Sequence, residues 1–229
     1  GRTLTTVAEL ELTPRAEQTR AAIVAAALRL FREHGYEATT MRAIAREADV
    51  STGNAYYYFS SKEELVQQFY ESNQADHLAA CREVLGRETD FSARLLGTLR
   101  ALIDISAPYH EFAARFFKYA AEPSSPLSPF SKESSPARDA ATAMYGELID
   151  GSSLKIDREL RAQLPELLWL YSLGVILYWV HDTSPGCAKT YRLIDRTVPL
   201  AARLVALHRI RLLRSTMREL IAVIEDIRS

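Results

Sequence analysis

The sequence predicts an all-α chain in two domains, and three observations predict it. Apolar residues recur at helical spacing in segment after segment along the 229 residues. Helix-opening signals stand in front of those segments: Thr13-Pro14, Thr40, Ser51, Ser61 with Glu64 three residues on, Asp90, and Ser135-Pro136. Between Thr40 and Lys62 two short helices flank a tight turn and run straight into a third, which is the outline of a helix-turn-helix. The expected organisation is a flexible arm over residues 1–13, a helix-turn-helix domain over 14–62 and a larger helical domain over 63–229.

Composition narrows the class. Hydrophobic residues make up 48% and charged residues 25%, ordinary for a soluble protein with a real core. The 28 basic and 29 acidic residues leave a net charge of −1, so the strong basic surface of a DNA-packing protein is missing. Segment 14–62 is only slightly basic: Arg15, Arg20, Arg29, Arg32, Arg42, Arg46 and Lys62 stand against Glu17, Glu33, Glu37, Glu47 and Asp49. Any DNA affinity there must rest on placed contacts and dimerisation. Cys81 and Cys187 form no ligand pattern and suit a reducing cytosol. The N-terminus has no apolar signal core, and the run Leu167–Val180 falls short of the ~20 residues a membrane span needs. A cytoplasmic protein without membrane contact is expected.

In chain order, Pro14 opens a helix that buries Ile23, Ala27, Leu30 and Phe31 and ends at His34-Gly35, with Gly35 left-handed. Thr40 caps the next, with Met41, Ile44 and Ala45 inside; the turn falls at Asp49-Val50, and Ser51 caps Thr52–Tyr58, with Phe59 turning inward. Ser61 and Glu64 open a long helix carrying Leu65, Val66, Phe69 and Tyr70, expected to stop at Gly86. A helix from Asp90 ends before Pro108, and a short aromatic helix covers 109–121. The loop Glu122–Ser135, with three prolines, reads equally as a lid and as a plain surface loop anchored by Leu127 and Phe130. Ser135 and Pro136 start a helix ending at Gly151. Leu164–Val180 is apolar nearly all round and needs neighbours on both faces, one of them most simply a second subunit. Beyond Pro185-Gly186 a helix reaches His208, with a kink expected from Pro199. A last stripe of Leu213, Met217, Leu220, Ile224 and Ile227 packs on the body or on a partner.

The front of the second short helix carries the chemistry. Thr52, Gly53 and Asn54 are small or hydrogen-bonding, as base-edge readers at the start of a recognition helix must be. Asn54 suits a bidentate contact with adenine, Gly53 lets the backbone approach, and the Tyr56 and Tyr57 hydroxyls reach phosphates. Arg42 and Lys62 flank the unit as phosphate ligands. A three-helix packing unit with exposed tyrosines fits the same residues.

The run Ala21–Leu65 closely resembles the DNA-binding region of the tetracycline-repressor (TetR) family. The matching residues are Phe31, Gly35, Tyr36, Thr39, Thr40, Ile44, Ala45, Ala48, Val50, Gly53, Tyr56, Phe59, Lys62 and Leu65, in the family's spacing throughout. Two departures are Tyr58, where the family often has histidine and either side chain donates to a phosphate, and Ala55, where a larger aliphatic residue is common. The resemblance implies a homodimeric regulator on a pseudo-palindromic double-stranded operator, with Thr40, Arg42, Ser51, Thr52, Gly53, Asn54, Tyr56, Tyr57, Tyr58 and Lys62 at the DNA. It also implies that residues 63–229 enclose a small-molecule effector and form the dimer. Size and spacing nominate Phe112, Phe116, Met144, Tyr145, Leu148, Trp169 and Ser172 as the lining of a largely apolar pocket, although the same side chains equally suit a plain core.

A helical small-molecule-binding protein or enzyme without sequence-specific DNA binding is the competing class. The five histidines are scattered, and no zincin, nucleophile-elbow, P-loop or dinucleotide pattern is present. His77 and Cys81 share a helix face but lack a third ligand. No catalytic residue, metal or cofactor is expected.

Overall fold

The computed structural model describes residues 13–207 and, beyond them, Ser215, Arg218, Glu219, Ala222, Val223 and Asp226. The expected arm up to residue 12 and the stripe Leu213, Met217, Leu220, Ile224 and Ile227 lie outside the described residues. Those described residues are helical or in turns and loops, and the chain divides into two compact units between Phe69 and Tyr70.

The first unit is closed by local rules. Helix α1 spans Pro14–His34; Thr13 accepts from the Ala16 N–H, and Ile23, Ala26, Ala27, Leu30 and Phe31 form its buried stripe. Gly35 follows with φ 85° and ψ 160°, so it is extended on the positive-φ side rather than left-handed helical, a conformation only glycine adopts without strain. Helix α2 spans Met41–Glu47 and α3 spans Thr52–Tyr58, capped by the Thr40 and Ser51 side chains through the N–H groups of Ala43 and Asn54. Asp49, not a glycine, supplies the positive φ (56°) of the turn between them. Ala55 and Phe59 are wholly buried and seat α3.

Helix α4 runs unbroken over Lys62–Arg87, so Gly86 lies within its last turn and does not stop it. Its opening is a shifted capping box. Ser61 Oγ accepts from the Glu64 N–H, but the Glu64 carboxylate reaches Ser60, accepting from both its N–H and its hydroxyl at 2.7 Å.

The second unit holds the rest of α4 with α5 (Phe91–Ser106), α6 (His110–Ala120), α7 (Ser135–Asp150), α8 (Arg158–Val180) and α9 (Ala188–Leu207). Helix α7 packs along α8, α5 along α9, and α6 against α8. Leu95, Leu99, Ile103, Met144, Leu148, Leu164, Leu168, Val175, Ile194 and Val198 form the centre of the core. The N-cap of α7 is Ser134, one residue earlier than expected, so Ser135 and Pro136 fall inside the first turn. Helix α8 starts six residues before its apolar run, at an Asp157 cap, and carries Pro165 internally.

Two polar groups lock this unit. Arg94 on α5 is buried and caps two helices at once. Its Nη1 donates to Leu85 O and Glu88 O at 2.7 Å at the end of α4, while Nε and Nη2 donate to Leu148 O (2.9 Å) and Glu147 O (3.1 Å) at the end of α7. Asp182, in the turn after α8, accepts from the N–H and hydroxyl of both Ser184 and Thr190. Burial alone would raise its pKa; those four bonds outweigh burial and hold the carboxyl well below the usual carboxylate range.

The loop between α6 and α7 is tied down by its own serines and by its neighbours. Leu127 is buried and its carbonyl accepts from Tyr70 Oη at 2.9 Å; Arg138 donates to the carbonyls of Pro129 and Ser131. Phe130 does not anchor it in the core: the ring is 64% exposed and stands edge-on to Trp169.

Candidate nucleic-acid interface

The N-caps fix where α2 and α3 begin, and the buried set Met41, Ile44, Ala45, Ala55 and Phe59 fixes which faces point inward. What remains outward is the set nominated for DNA. Thr40, Arg42, Ser51, Thr52, Gly53 and Asn54 are exposed; Tyr56 is exposed, Tyr57 is 78% exposed, and Tyr58 is half-buried with its ring edge-on to Tyr57. A Cβ added at Gly53 would meet nothing within 4 Å, so nothing among the described residues requires the glycine. Two large aromatic rings in water on a seven-residue helix are likewise unexplained by packing.

Lys62 behaves differently from the rest of that set. It is half-buried; its ammonium donates to Tyr36 O at 2.8 Å and lies 4.5 Å from the centre of the Tyr36 ring. Tyr36 Oη in turn donates to Glu63 at 2.9 Å. Lys62 therefore braces the start of α4 to the loop after α1, a role its charge alone did not announce. Arg29 pairs with Glu47 at 3.1 Å, which takes one further cation into the frame.

In the second unit the seven residues nominated for a pocket are all buried: Phe112 and Phe116 stacked at 5.1 Å on α6, Met144, Tyr145 and Leu148 on α7, Trp169 and Ser172 on α8. A cavity of about 430 Å³ lies elsewhere, lined by Leu78, Arg82, Leu85, Gly86, Arg94 and Glu147, and includes none of them. Sequence reasoning missed Arg94 and Thr98, although a signal was present. Both occupy the apolar stripe of α5, in register with Phe91, Leu95 and Leu99, where a polar residue needs a partner. Among the described residues no group of three His, Cys, Asp or Glu is placed to hold a metal, and no helix is long and apolar enough to cross a membrane.

Two family models match the chain: "Bacterial regulatory proteins, tetR family" over residues 23–69, and "Tetracyclin repressor-like, C-terminal domain" over residues 94–220. The HTH-type transcriptional regulator HbdR of Aromatoleum sp. (strain CIB) is 50% identical over 50 residues, 22% of either chain. The HTH-type transcriptional regulator TtgR of Pseudomonas putida is 43% identical over 70 residues, 30% of this chain and 33% of that one. The matched stretch thus spans well under two thirds of these curated relatives. A TetR-family regulator from Syntrophomonas wolfei shares the fold across both units, with a TM-score of 0.64 at 19% identity over 81% of this chain and 95% of that one.

Proposed function

Because the chain belongs to the tetracycline-repressor family of transcriptional regulators, we propose that it is a repressor that binds a pseudo-palindromic operator as a homodimer and is released by a small, largely apolar effector. The observation that carries the DNA reading is the outward face of α3. Thr52, Gly53, Asn54, Tyr56 and Tyr57 are held in place by a capped frame and stay outside its core. Asn54 reads a base edge, Thr52 and the tyrosines take neighbouring edges and phosphates, and Arg42 grips the backbone. Lys62 keeps a donor beyond its bonds to Tyr36 O and Glu37 O and serves a phosphate from that braced position.

The dimer reading rests on a second apolar face in the C-terminal unit. On α9, Ile194, Val198 and Val205 are buried, while Leu200, Leu204 and Leu207 recur at helical spacing on the other side, with Leu204 63% exposed. On α8, Gly174, Leu177 and Tyr178 are exposed one turn apart, and a Cβ at Gly174 would meet nothing within 4 Å, which leaves room for a partner helix. Exposed apolar residues on two neighbouring helices support an interface there. A twofold dimer then reads half-sites one helical turn or a multiple apart. Release requires an effector that favours the non-binding form; a 100-fold preference corresponds to about 2.7 kcal/mol and appears reciprocally as weaker effector binding to the DNA complex.

Fluorescence anisotropy with the DNA upstream of the chain's own gene tests the reading. Tight, sequence-selective binding by a dimer is expected, with Leu177→Arg sedimenting as monomer and binding weakly. Binding that ignores sequence would favour a packing role, and no binding would favour a helical small-molecule-binding protein.

A further inference from the structure

The core between α4, α5, α7 and α8 contains polar atoms that the fold itself leaves unanswered. Thr98 on α5 is fully buried; its carbonyl takes the Nε2 proton of His77 on α4 at 2.8 Å, but its own hydroxyl has no hydrogen-bond partner among the described residues. The neighbouring Cys81 thiol, a weak donor and weak acceptor, feels that hydroxyl without satisfying it. Tyr145 Oη on α7 and Gln74 Nε2 on α4 are orphaned in the same way. Gln74 lies one turn before His77 and two before Cys81, on one face of α4. Ser172 on α8 is close enough to influence the Tyr145 phenol, yet the pair lacks hydrogen-bond geometry, and the Ser172 proton already goes to Trp169 O at 2.6 Å. Trp179 Nε1 on α8 is a fourth unpartnered atom, but it is a donor only and belongs to the α6–α8 side of the core. Buried polar groups are nearly always paired, so these orphans, two of them hydroxyls that both donate and accept, mark unmade interactions.

We infer that Gln74, Thr98 and Tyr145 are the hydrogen-bonding end of the effector site, and that its occupant is an uncharged small molecule bearing a hydroxyl or carbonyl group. Leu95, Leu99, Met144 and Leu148 share one buried apolar cluster with Tyr145, and methionine is the side chain best able to yield to a ligand. His77, Cys81 and Tyr145 offer no charge for an ion to pair with, and the buried cation one turn before Thr98, Arg94, already donates to four carbonyls. Burial pulls His77 down and leaves the imidazole neutral, pushes the Cys81 thiol up to about 11, and raises the Tyr145 phenol. A carboxylate or ammonium would enter this core unpaired, whereas a ketone, lactone or alcohol would satisfy the orphaned donors.

The inference rests on the effector-responsive reading above, and its test uses no DNA, so that failure of either leaves the other standing. Fluorine NMR line broadening is measured for para-fluorophenol, para-fluorotoluene and para-fluorobenzoate with the full chain. The phenol is expected to broaden and the other two not. The nearly isosteric pair Thr98→Val with Tyr145→Phe removes two orphaned hydroxyls. It is expected to raise Tm by roughly 4 °C and to weaken phenol binding at least tenfold. Three results overturn the inference: no broadening of the phenol, equal broadening by the toluene or benzoate, or unchanged phenol binding in the double variant. A lower Tm in that variant overturns it as well, because the hydroxyls would then already be serving the fold.

Discussion

Replacing Arg94 by methionine isolates the double helix cap. Methionine keeps an unbranched apolar stem in the same channel but deletes four N–H bonds. The bond to Leu148 O is buried, so that carbonyl loses its partner with no water to replace it, a loss of about 1–3 kcal/mol. The bonds to Leu85, Glu88 and Glu147 are part-buried and re-pair in part with water, at about 0.5 kcal/mol each. The guanidinium also faces the negative ends of α4 and α7, worth about 0.3–1 kcal/mol apiece. In the other direction, burial disfavours the charge and pulls the Arg94 pKa down, so removing the charge returns part of the loss. A net loss of about 3 kcal/mol is expected. Urea unfolding followed by tryptophan fluorescence reads it directly, since Trp169 and Trp179 both sit in this core. A loss below about 1 kcal/mol would show that the two helix ends are closed by something other than Arg94.

Gly151→Ala places a Cβ 2.5 Å from Arg94 Nη2 at an ordinary φ of −82°, so it acts through the cap rather than the backbone. It is expected to cost about 1–3 kcal/mol, and clearly less when Arg94 is already methionine, measured by the same unfolding assay as a double-mutant cycle. Asp182 contributes stability that is fully present above the unfolded carboxylate pKa of about 3.9 and is lost as pH falls through its depressed folded value. Acid unfolding of Asp182→Asn is therefore expected to show a smaller loss between neutral pH and pH ~3 than the parent, from a lower starting stability. Asn54→Ala is expected to leave Tm unchanged while relaxing preference at one operator base pair. Lys62→Ala is expected to lower both Tm and affinity for every sequence, because it removes the brace to Tyr36 O together with a phosphate donor; calorimetry beside anisotropy separates the two.

The first unit was legible in the sequence because its determinants are local. Each cap acts within three or four residues, and the stripes Ile23–Phe31 and Met41–Ala45 need only the helical period to be seen. The misses there are also local but degenerate: Glu64 could reach Ser60 or Ser61, and Gly35 can close a helix left-handed or extended on the positive-φ side. In the second unit the helices were legible and their polar relations were not. Arg94 bonds to carbonyls 53 and 54 positions away, and Tyr70 to one 57 away, through backbone atoms that carry no residue identity. The start of α8 was hidden because Leu160 stands alone among charged neighbours in Arg158–Arg161 and Pro165 reads as a breaker, whereas the Asp157 cap and tertiary packing carry the helix through both.

The features left incomplete by the fold differ in kind, and that difference separates their partners. An exposed surface of hydroxyls, an amide and tyrosine rings on α3 offers donors and acceptors suited to base edges and phosphates. The leucine stripe on α9 has no donor to offer a nucleic acid; only another apolar surface removes it from water, and in the proposed twofold dimer a second copy of the chain presents one. The orphaned hydroxyls of Thr98 and Tyr145 are closed to either macromolecule, and a molecule small enough to enter the core is what remains to satisfy them. On the proposed function and the inferred effector site, DNA, a second subunit and an uncharged small molecule meet three chemistries that cannot substitute for one another. For a regulator of this kind the consequence is measurable: Leu177→Arg is expected to abolish dimer and tight DNA binding while leaving para-fluorophenol broadening intact. Loss of the fluorine signal in the folded monomer would place the effector site at the subunit interface and join two of the three partners into one.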